Sequence, residues 1–281
     1  MARMTCIICY APLKTGLSGW HRTCPGCAYE GAAHCVAPAS GAEDMREASL
    51  NALRQDNCRT IVALTRQFAA PRANTLLDVG SAHGWFLEAA SCAFDVLGVE
   101  PDEVLARQAA ARGLPVRIGY FPQALADGEQ FDIIVLNEVI EHIPDIRAAL
   151  RDCHQRLSPD GTLVLNLPSS RGLCYRLSKL FARFGLHGPF DRLWQKDMPS
   201  PHAHYFNPSN LTRLVEREGF ALRHSTELAI VKKEGMWRWM TVFGRLHPFK
   251  APLRYLAMRW ALLPLMRLFP SDIMVCIYRK R

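Results

Sequence analysis

Several things are scarce in this 281-residue chain. No run reaches the roughly 18 uninterrupted apolar residues that a membrane span needs. The nearest, "YLAMRWALLPLMRLF", is broken by Arg259, Pro264 and Arg267. The first residues, "MARMTCIICYAPL", lack the apolar core of a secretory leader, so a cytoplasmic chain is expected. Internal repeats and low-complexity tracts are missing too, which excludes solenoids and disordered tails. Acidic residues are scarce in one place. From Lys232 to Arg281 there are 11 basic residues against 2 acidic ones, while residues 1–231 carry 23 against 24. The net charge of +8 therefore belongs to the C-terminal fifth and concerns what that segment touches.

Cysteine is not scarce. Ten are present, without the secretory context that would make them disulfides. Cys6-x2-Cys9 and Cys24-x2-Cys27 are 14 residues apart, the spacing of a closed, structural four-thiolate zinc site. "CPGC" supplies the tight knuckle that lets two sulfurs converge on one ion. His21, His34 and Cys35 lie close enough to replace a ligand. Cys58, Cys92, Cys153, Cys174 and Cys276 are scattered and read as small core residues.

The zinc ribbon is expected over residues 1–40 as a small unit that folds on its ion. A linker helix follows within 41–72, over Glu43 to Phe68. Strands and helices then alternate: "TLLDVG", "GWFLEAASCA", "FDVLGVE", "PDEVLARQAAARG", "LPVRIG", "FDIIVLN", "IRAALRDCHQRLS" and "GTLVLNLP". Such alternation predicts an α/β fold, a doubly wound parallel sheet with helices on both faces. Residues 169–200 are long for a connection, which predicts a lid insert. "NPSNLTRLVEREGF" is a helix capped by Asn207 and stopped by Gly219, and "FALRHSTEL" and "DIMVCIYRK" are the closing strands. The basic, Trp-containing insert over 228–272 separates them; through 232–270 it would either touch a membrane surface or pack as helices on the sheet.

Ligands of such sheets bind at the carboxyl ends of the strands. The first end reads Asp78-Val79-Gly80-Ser81-Ala82-His83-Gly84, a loop whose glycines admit a ligand to the backbone. Glu100 closes the second strand 16 residues past Gly84, where a carboxylate accepts ribose hydroxyls. The G-x-G-x-x-G of nicotinamide enzymes is missing, since Ala82 and Trp85 stand at its second and third glycines. An NAD-dependent reductase is therefore an alternative, told apart by binding of NADH.

This D-x-G-x-x-x-G loop resembles motif I of class I S-adenosylmethionine-dependent methyltransferases. "FDIIVLNEVIEHIPD", "HQRLSPDGTLVLNLPS" and "HYFNPSNLTRLVEREGF" resemble later motifs of the group that includes the ubiquinone-biosynthesis O-methyltransferases. The likeness covers about residues 73–227 and the last strand. It implies a Rossmann-like seven-stranded methyltransferase sheet with an antiparallel last strand, occupying 73–281. It further implies that Asp78, Gly80, Ala82 and Gly84 line the methionine and ribose of S-adenosylmethionine, that Glu100 holds the ribose, and that Asn137 lies near the amino acid end. Where the family often has an acidic residue contacting adenine, this chain has Gly119-Tyr120.

One stretch carries chemistry beyond cofactor binding. In "NEVIEHIPD", a helix starting after Leu136 would set Glu138, Glu141 and His142 on one face. The E-x-x-E-H spacing is similar to a segment that binds a divalent metal in small-RNA 3′-terminal 2′-O-methyltransferases and some quinone O-methyltransferases. "PHAHYF" supplies two histidines for a fourth ligand, His202 or His204. Mg²⁺, Mn²⁺ or a second Zn²⁺ all suit two carboxylates and imidazole. Without a metal, His142 or His204 would serve as general base, or His142 would only pack. The expected activity is methylation, most simply at oxygen, of a small or lipid-linked acceptor such as a sugar or phenol. An RNA-binding methyltransferase, or a non-catalytic nucleic-acid or protein-binding module built on the ribbon, is the rival, although the tail lacks aromatic platforms on strands.

Overall fold

A computed structural model of the chain describes residues 4–33, 44–230, 260 and 268–281. His34, Cys35 and most of the basic insert at 228–272 lie outside the described residues. Among those described, no helix is long and apolar enough to cross a membrane.

The N-terminal module is three short antiparallel strands, β1 (Lys14–Thr15), β2 (His21–Thr23) and β3 (Glu30–Ala32). Helix α1 (Asp44–Phe68) leads into β4 (Thr75–Val79), α2 (Trp85–Ala90), β5 (Asp95–Glu100), α3 (Glu103–Ala111) and β6 (Val116–Ile118). The chain continues through β7 (Phe131–Asn137), α4 (Ile146–Arg156) and β8 (Leu157–Pro168). The stretch expected as a lid holds two helices, α5 (Leu173–Arg183) and α6 (Gly188–Leu193). Then come β9 (His204–Tyr205), α7 (Pro208–Arg217), β10 (Phe220–Leu228) and β11 (Ile273–Lys280).

The large sheet has seven strands in the order β10-β11-β8-β7-β4-β5-β6. Strands β4 to β8 pair in parallel, and β11 runs antiparallel to both of its neighbours. The order reverses between β4 and β7, so a crevice opens where their carboxyl ends diverge. Alternating residues of the central strands feed two apolar layers. Leu77, Val79, Ile134 and Leu136 face one core, while Leu76, Ile133 and Val135 face the other, under α1 and α2. Local signals end the helices as expected. Asn207 caps α7 in a reciprocal box with Asn210, and Gly219 follows it at φ 91°.

The module does not stand apart. Strand β9 pairs antiparallel with β3, matching Glu30 to Tyr205 and Gly31 to His204, and so completes a four-stranded sheet. Cys6, Ile8, Cys24 and Tyr29 belong to the same core as Leu77, Ile134 and Leu165. Trp20 and Leu17 pack against Tyr175, Phe190 and Trp194 of α5, α6 and the residue after them. The apolar face of so few strands is thus buried against the larger domain.

Candidate functional site

The cofactor crevice is built on the ends of β4 and β5. Asp78 is 1% exposed, and its Oδ1 has no hydrogen-bond partner. Burial, and then the charge of Glu100, push its carboxyl up to about 8. A buried, unsatisfied oxygen is costly, so the position suits a ligand that brings a donor or a positive charge. Gly80 turns the chain at φ 73°, and a Cβ there would lie 2.7 Å from Val139 Cγ2. Ala82 adopts φ 44°, and its N–H donates to Glu100 Oε2 at 2.7 Å. The Asp102 N–H donates to Glu100 Oε1 at 2.8 Å. Glu100 is thus buried yet gripped by two amides, which aim its carboxylate across the loop. Gly84, at φ 75°, opens α2. Asn137 ends β7, its Oδ1 accepting from Asn166 Nδ2 at 2.6 Å. The crevice therefore offers backbone access, an ordered carboxylate and an unsatisfied one, which fits S-adenosylmethionine with its ribose diol and ammonium group.

Two features beside this crevice escaped sequence reasoning. His83 and Trp85 stack at 5.1 Å, and the Arg54 guanidinium sits 5.9 Å from the Trp85 ring centroid. Trp85, noted in the sequence only for standing where the nicotinamide fingerprint has its third glycine, is half of a cation-stacked pair. Arg54 comes from α1, taken as a linker. Only the aromatic placed directly after the loop glycine signalled a contact here.

The segment after β7 departs from expectation. A helix does not start after Leu136; Glu138 takes φ 58°, and a single 3-10 turn spans Ile140–His142. The left-handed residue throws Glu138 outward, where it is exposed, while Glu141 turns inward and is 1% exposed. Glu138 therefore does not share a face with Glu141 and His142, and it is outside the cluster that they form. That cluster consists of Glu141, His142 and His202, whose ligand atoms lie within 4.8 Å of one another.

Glu141 Oε2 is buried with no hydrogen-bond partner. Desolvation, with the charge of Glu138 adding to it, holds this carboxyl well above the usual range. His142 Nδ1 lies 3.2 Å from both Pro201 O and Ser200 Oγ. A carbonyl only accepts, so Nδ1 carries the proton and Nε2 keeps its lone pair. Burial lowers the His142 pKa, which keeps that lone pair open. The His202 ring stands edge-on to His142 at 4.8 Å, and the Gln195 side-chain amide lies 3.0 Å from His202 Nε2; turned so that its oxygen faces Nε2, the amide accepts the proton there and the Nδ1 lone pair is kept for an ion. Carboxylate and two imidazoles are a donor set that divalent ions accept.

His204, the other candidate, is committed elsewhere. Its Nε2 lies 2.9 Å from Ile143 O, and its Nδ1 lies 2.6 Å from the Tyr29 hydroxyl. Both nitrogens are engaged, and burial pulls its pKa down to about 4. It has no lone pair left to take a proton or bind an ion, so the catalytic and metal roles expected for His204 do not fit this geometry.

In the module, Cys6 Sγ lies 3.5 Å from Cys27 Sγ, and Cys9 Sγ 3.3 Å from Cys24 Sγ. Zn–S bonds of ~2.3 Å put tetrahedral sulfurs about 3.8 Å apart, close to this arrangement. The Ala11 amide draws the Cys9 thiol down to about 7, whereas burial pushes the Cys6 and Cys27 thiols up, so those two would need the ion itself to become thiolates. His21 does not compete: its Nδ1 accepts from Leu17 N–H and its Nε2 meets Glu30 at 2.7 Å.

A methyltransferase-domain family model matches residues 51–225, more than half of the chain. The mitochondrial ubiquinone biosynthesis O-methyltransferase of Bos taurus is 27% identical over 209 residues, covering 68% of this chain and 54% of that protein. The ubiquinone biosynthesis O-methyltransferase of Paramagnetospirillum magneticum is 29% identical over 175 residues, covering 58% of this chain and 66% of that protein. The chain thus spans about half to two thirds of the length of these curated relatives. In fold it is similar to an S-adenosylmethionine-dependent methyltransferase from Mesorhizobium loti, with a TM-score of 0.53 at 16% identity, covering 80% of this chain and 100% of that one. An Archaeoglobus fulgidus methyltransferase gives 0.51 at 16% identity, covering 82% and 97%. With its D-x-G-x-x-x-G loop, its Glu100 and its seven-stranded sheet, the chain belongs to the class I S-adenosylmethionine-dependent methyltransferases.

Proposed function

We propose that the protein methylates a hydroxyl oxygen of a small or lipid-linked acceptor, such as a phenol or sugar, with a divalent cation held by Glu141, His142 and His202. Oxygen as the acceptor atom is supported by the O-methyltransferases to which the chain is similar. The lipid-linked alternative is supported by the exposed apolar face of α5, where Leu177, Leu180 and Phe181 lie beside Arg176 and Arg183.

The observation that carries the metal reading is the buried Glu141 oxygen without a hydrogen-bond partner, in a carboxylate whose ligand atom lies within 4.8 Å of those of two imidazoles. Leaving such a group unsatisfied costs about 1–3 kcal/mol, and a cation removes that cost. S-adenosylmethionine supplies an electrophilic methyl for in-line displacement by the acceptor oxygen. The chain's residues have three tasks there. Gly80 and Ala82 hold the loop backbone close to the cofactor, Glu100 orients its ribose, and Asp78 meets its donor groups. A divalent ion in the cluster would supply Lewis acidity, lowering the pKa of an acceptor hydroxyl toward neutrality. His142, its Nδ1 tied to the chain, directs Nε2 toward the same space and serves as the base when no ion is present.

The test is turnover of catechols and of glycosides with adjacent hydroxyls, before and after treatment with a chelator too weak to strip thiolate-bound zinc. Activity should vanish and return with Mg²⁺, Mn²⁺ or Zn²⁺. Glu141→Gln should abolish turnover while leaving S-adenosylhomocysteine binding intact. Undiminished turnover in chelator would remove the metal and leave His142 as the base.

A further inference from the structure

The residues of the candidate cation cluster come from two segments far apart in sequence, and both are fastened to the cysteine module. Glu141 and His142 sit in the turn after β7; His202 sits just before β9. Ala203 N–H donates to Glu141 O at 2.8 Å, joining the two segments next to their ligand side chains. From the other side, Ala32 N–H donates to Ala203 O at 2.9 Å, and β3 pairs with β9. The backbone that carries His202 is thus clamped between the module and the Glu141 turn.

A second link runs through side chains. Ile143 O can only accept, so the His204 Nε2 must carry the proton, and Nδ1 must accept from the Tyr29 hydroxyl. Tyr29 therefore reaches, through one imidazole, the residue immediately after His142. Tyr29 is in turn held by the second cysteine knuckle: Cys24 N–H donates to Tyr29 O at 2.8 Å, and the Tyr29 ring packs on Phe206 at 5.4 Å. A neutral, buried Tyr–His pair thus joins the module to the turn that carries His142.

We propose that Tyr29 is a positioning residue for the cation cluster: through His204 it transmits the geometry of the cysteine module to His142 and His202. This rests on reading Glu141, His142 and His202 as a divalent site, and it adds that the module sets the spacing of their side chains. Removing a partner that directly orients a metal ligand typically costs about 10–100-fold in affinity, and Tyr29, one imidazole further out, stands at the low end of that range. Glu30 provides a parallel tie on the lid side, its carboxylate meeting His21 at 2.7 Å, Tyr175 Oη at 2.8 Å and Lys179 Nζ at 2.6 Å. The module therefore holds both the backbone that carries the cluster and helix α5.

Tyr29→Phe deletes the one hydroxyl while keeping the ring that fills the core. The full-length variant and the parent, each carrying one zinc, are titrated with Mn²⁺ alone, free ion being followed by its paramagnetic resonance. The variant should bind Mn²⁺ about tenfold more weakly, with zinc content and S-adenosylhomocysteine affinity unchanged. Imidazole nitrogen spectra, recorded before Mn²⁺ is added, give a second readout. The resonances of His142 and His202 should move in the variant, which a loss of global stability alone would not cause. If the parent binds no Mn²⁺, the cation reading fails, and the imidazole spectra still decide whether Tyr29 positions these side chains. Unmoved His142 and His202 resonances in Tyr29→Phe overturn the proposal.

Discussion

Asp78 and Glu100 end adjacent parallel strands, and they are treated oppositely by the backbone around them. Glu100 is held by the amides of Ala82 and Asp102, whereas Asp78 Oδ1 is buried without a hydrogen bond and has its carboxyl pushed up to about 8. Two carboxylates in one crevice therefore carry different duties: one is preset by two backbone donors, and the other waits for its partner.

That difference has a pH signature. An unfolded Asp78 titrates near its ordinary value of 3.8, and the folded one at about 8. Between these values the folded chain keeps a proton that the unfolded chain has lost, so this group's contribution to stability falls as pH rises. Asp78→Asn should remove the fall. Melting curves of the cofactor-free protein from pH 5 to 8 should slope less steeply downward in the variant; equal slopes would contradict the assignment.

Glu100→Ala should act on binding. It removes the acceptors for a ribose diol and frees the Ala82 amide that shapes the loop. Charge-assisted hydrogen bonds are worth about 1.5–3 kcal/mol each, so calorimetry should register at least about a tenfold loss of S-adenosylhomocysteine affinity. Retained affinity would move the ribose contact elsewhere.

Gly80→Ala tests the loop's backbone. The new methyl would meet Val139 Cγ2 at 2.7 Å, in a left-handed conformation that L residues rarely adopt. Overpacking and strain together predict a cost of about 1–3 kcal/mol, read from chemical denaturation, along with weaker cofactor binding. A variant as stable as the parent would mean that the loop has slack.

Zinc should co-purify at one equivalent per chain, and Cys24→Ser should release it. Because Cys6, Cys24 and Tyr29 share a core with the large sheet, loss of the ion should lower one common unfolding transition. Two separate transitions, with the cofactor domain melting at its original temperature, would show that the module is independent after all. Elemental analysis settles the stoichiometry.

The parallel sheet was legible because apolar runs such as "FDIIVLN" are buried on both faces, and because Asn207 and Gly219 punctuate α7 with local chemistry. That the glycine loop and Glu100 meet was legible because they stand at a set spacing along the chain. The second site was less so. Whether Glu138 joins Glu141 depended on one backbone angle at a non-glycine residue, which no periodicity reveals. The choice between His202 and His204 depended on partners at residues 29 and 143, invisible from the "HAH" pattern itself. A two-residue strand such as β9 has no sequence signature of its own; its partner β3 defines it.

The pairing of β3 with β9 also constrains how the chain can be made. Tyr29 and His204 are 175 residues apart, so on the ribosome the outer edge of β3 must wait through most of synthesis before its neighbour emerges. An open strand edge is a template for the wrong partner, and distant pairings close slowly. Early capture of zinc by Cys6, Cys9, Cys24 and Cys27 would keep those first strands in one arrangement during the delay, so cells starved of zinc while translating this protein should accumulate it as aggregate.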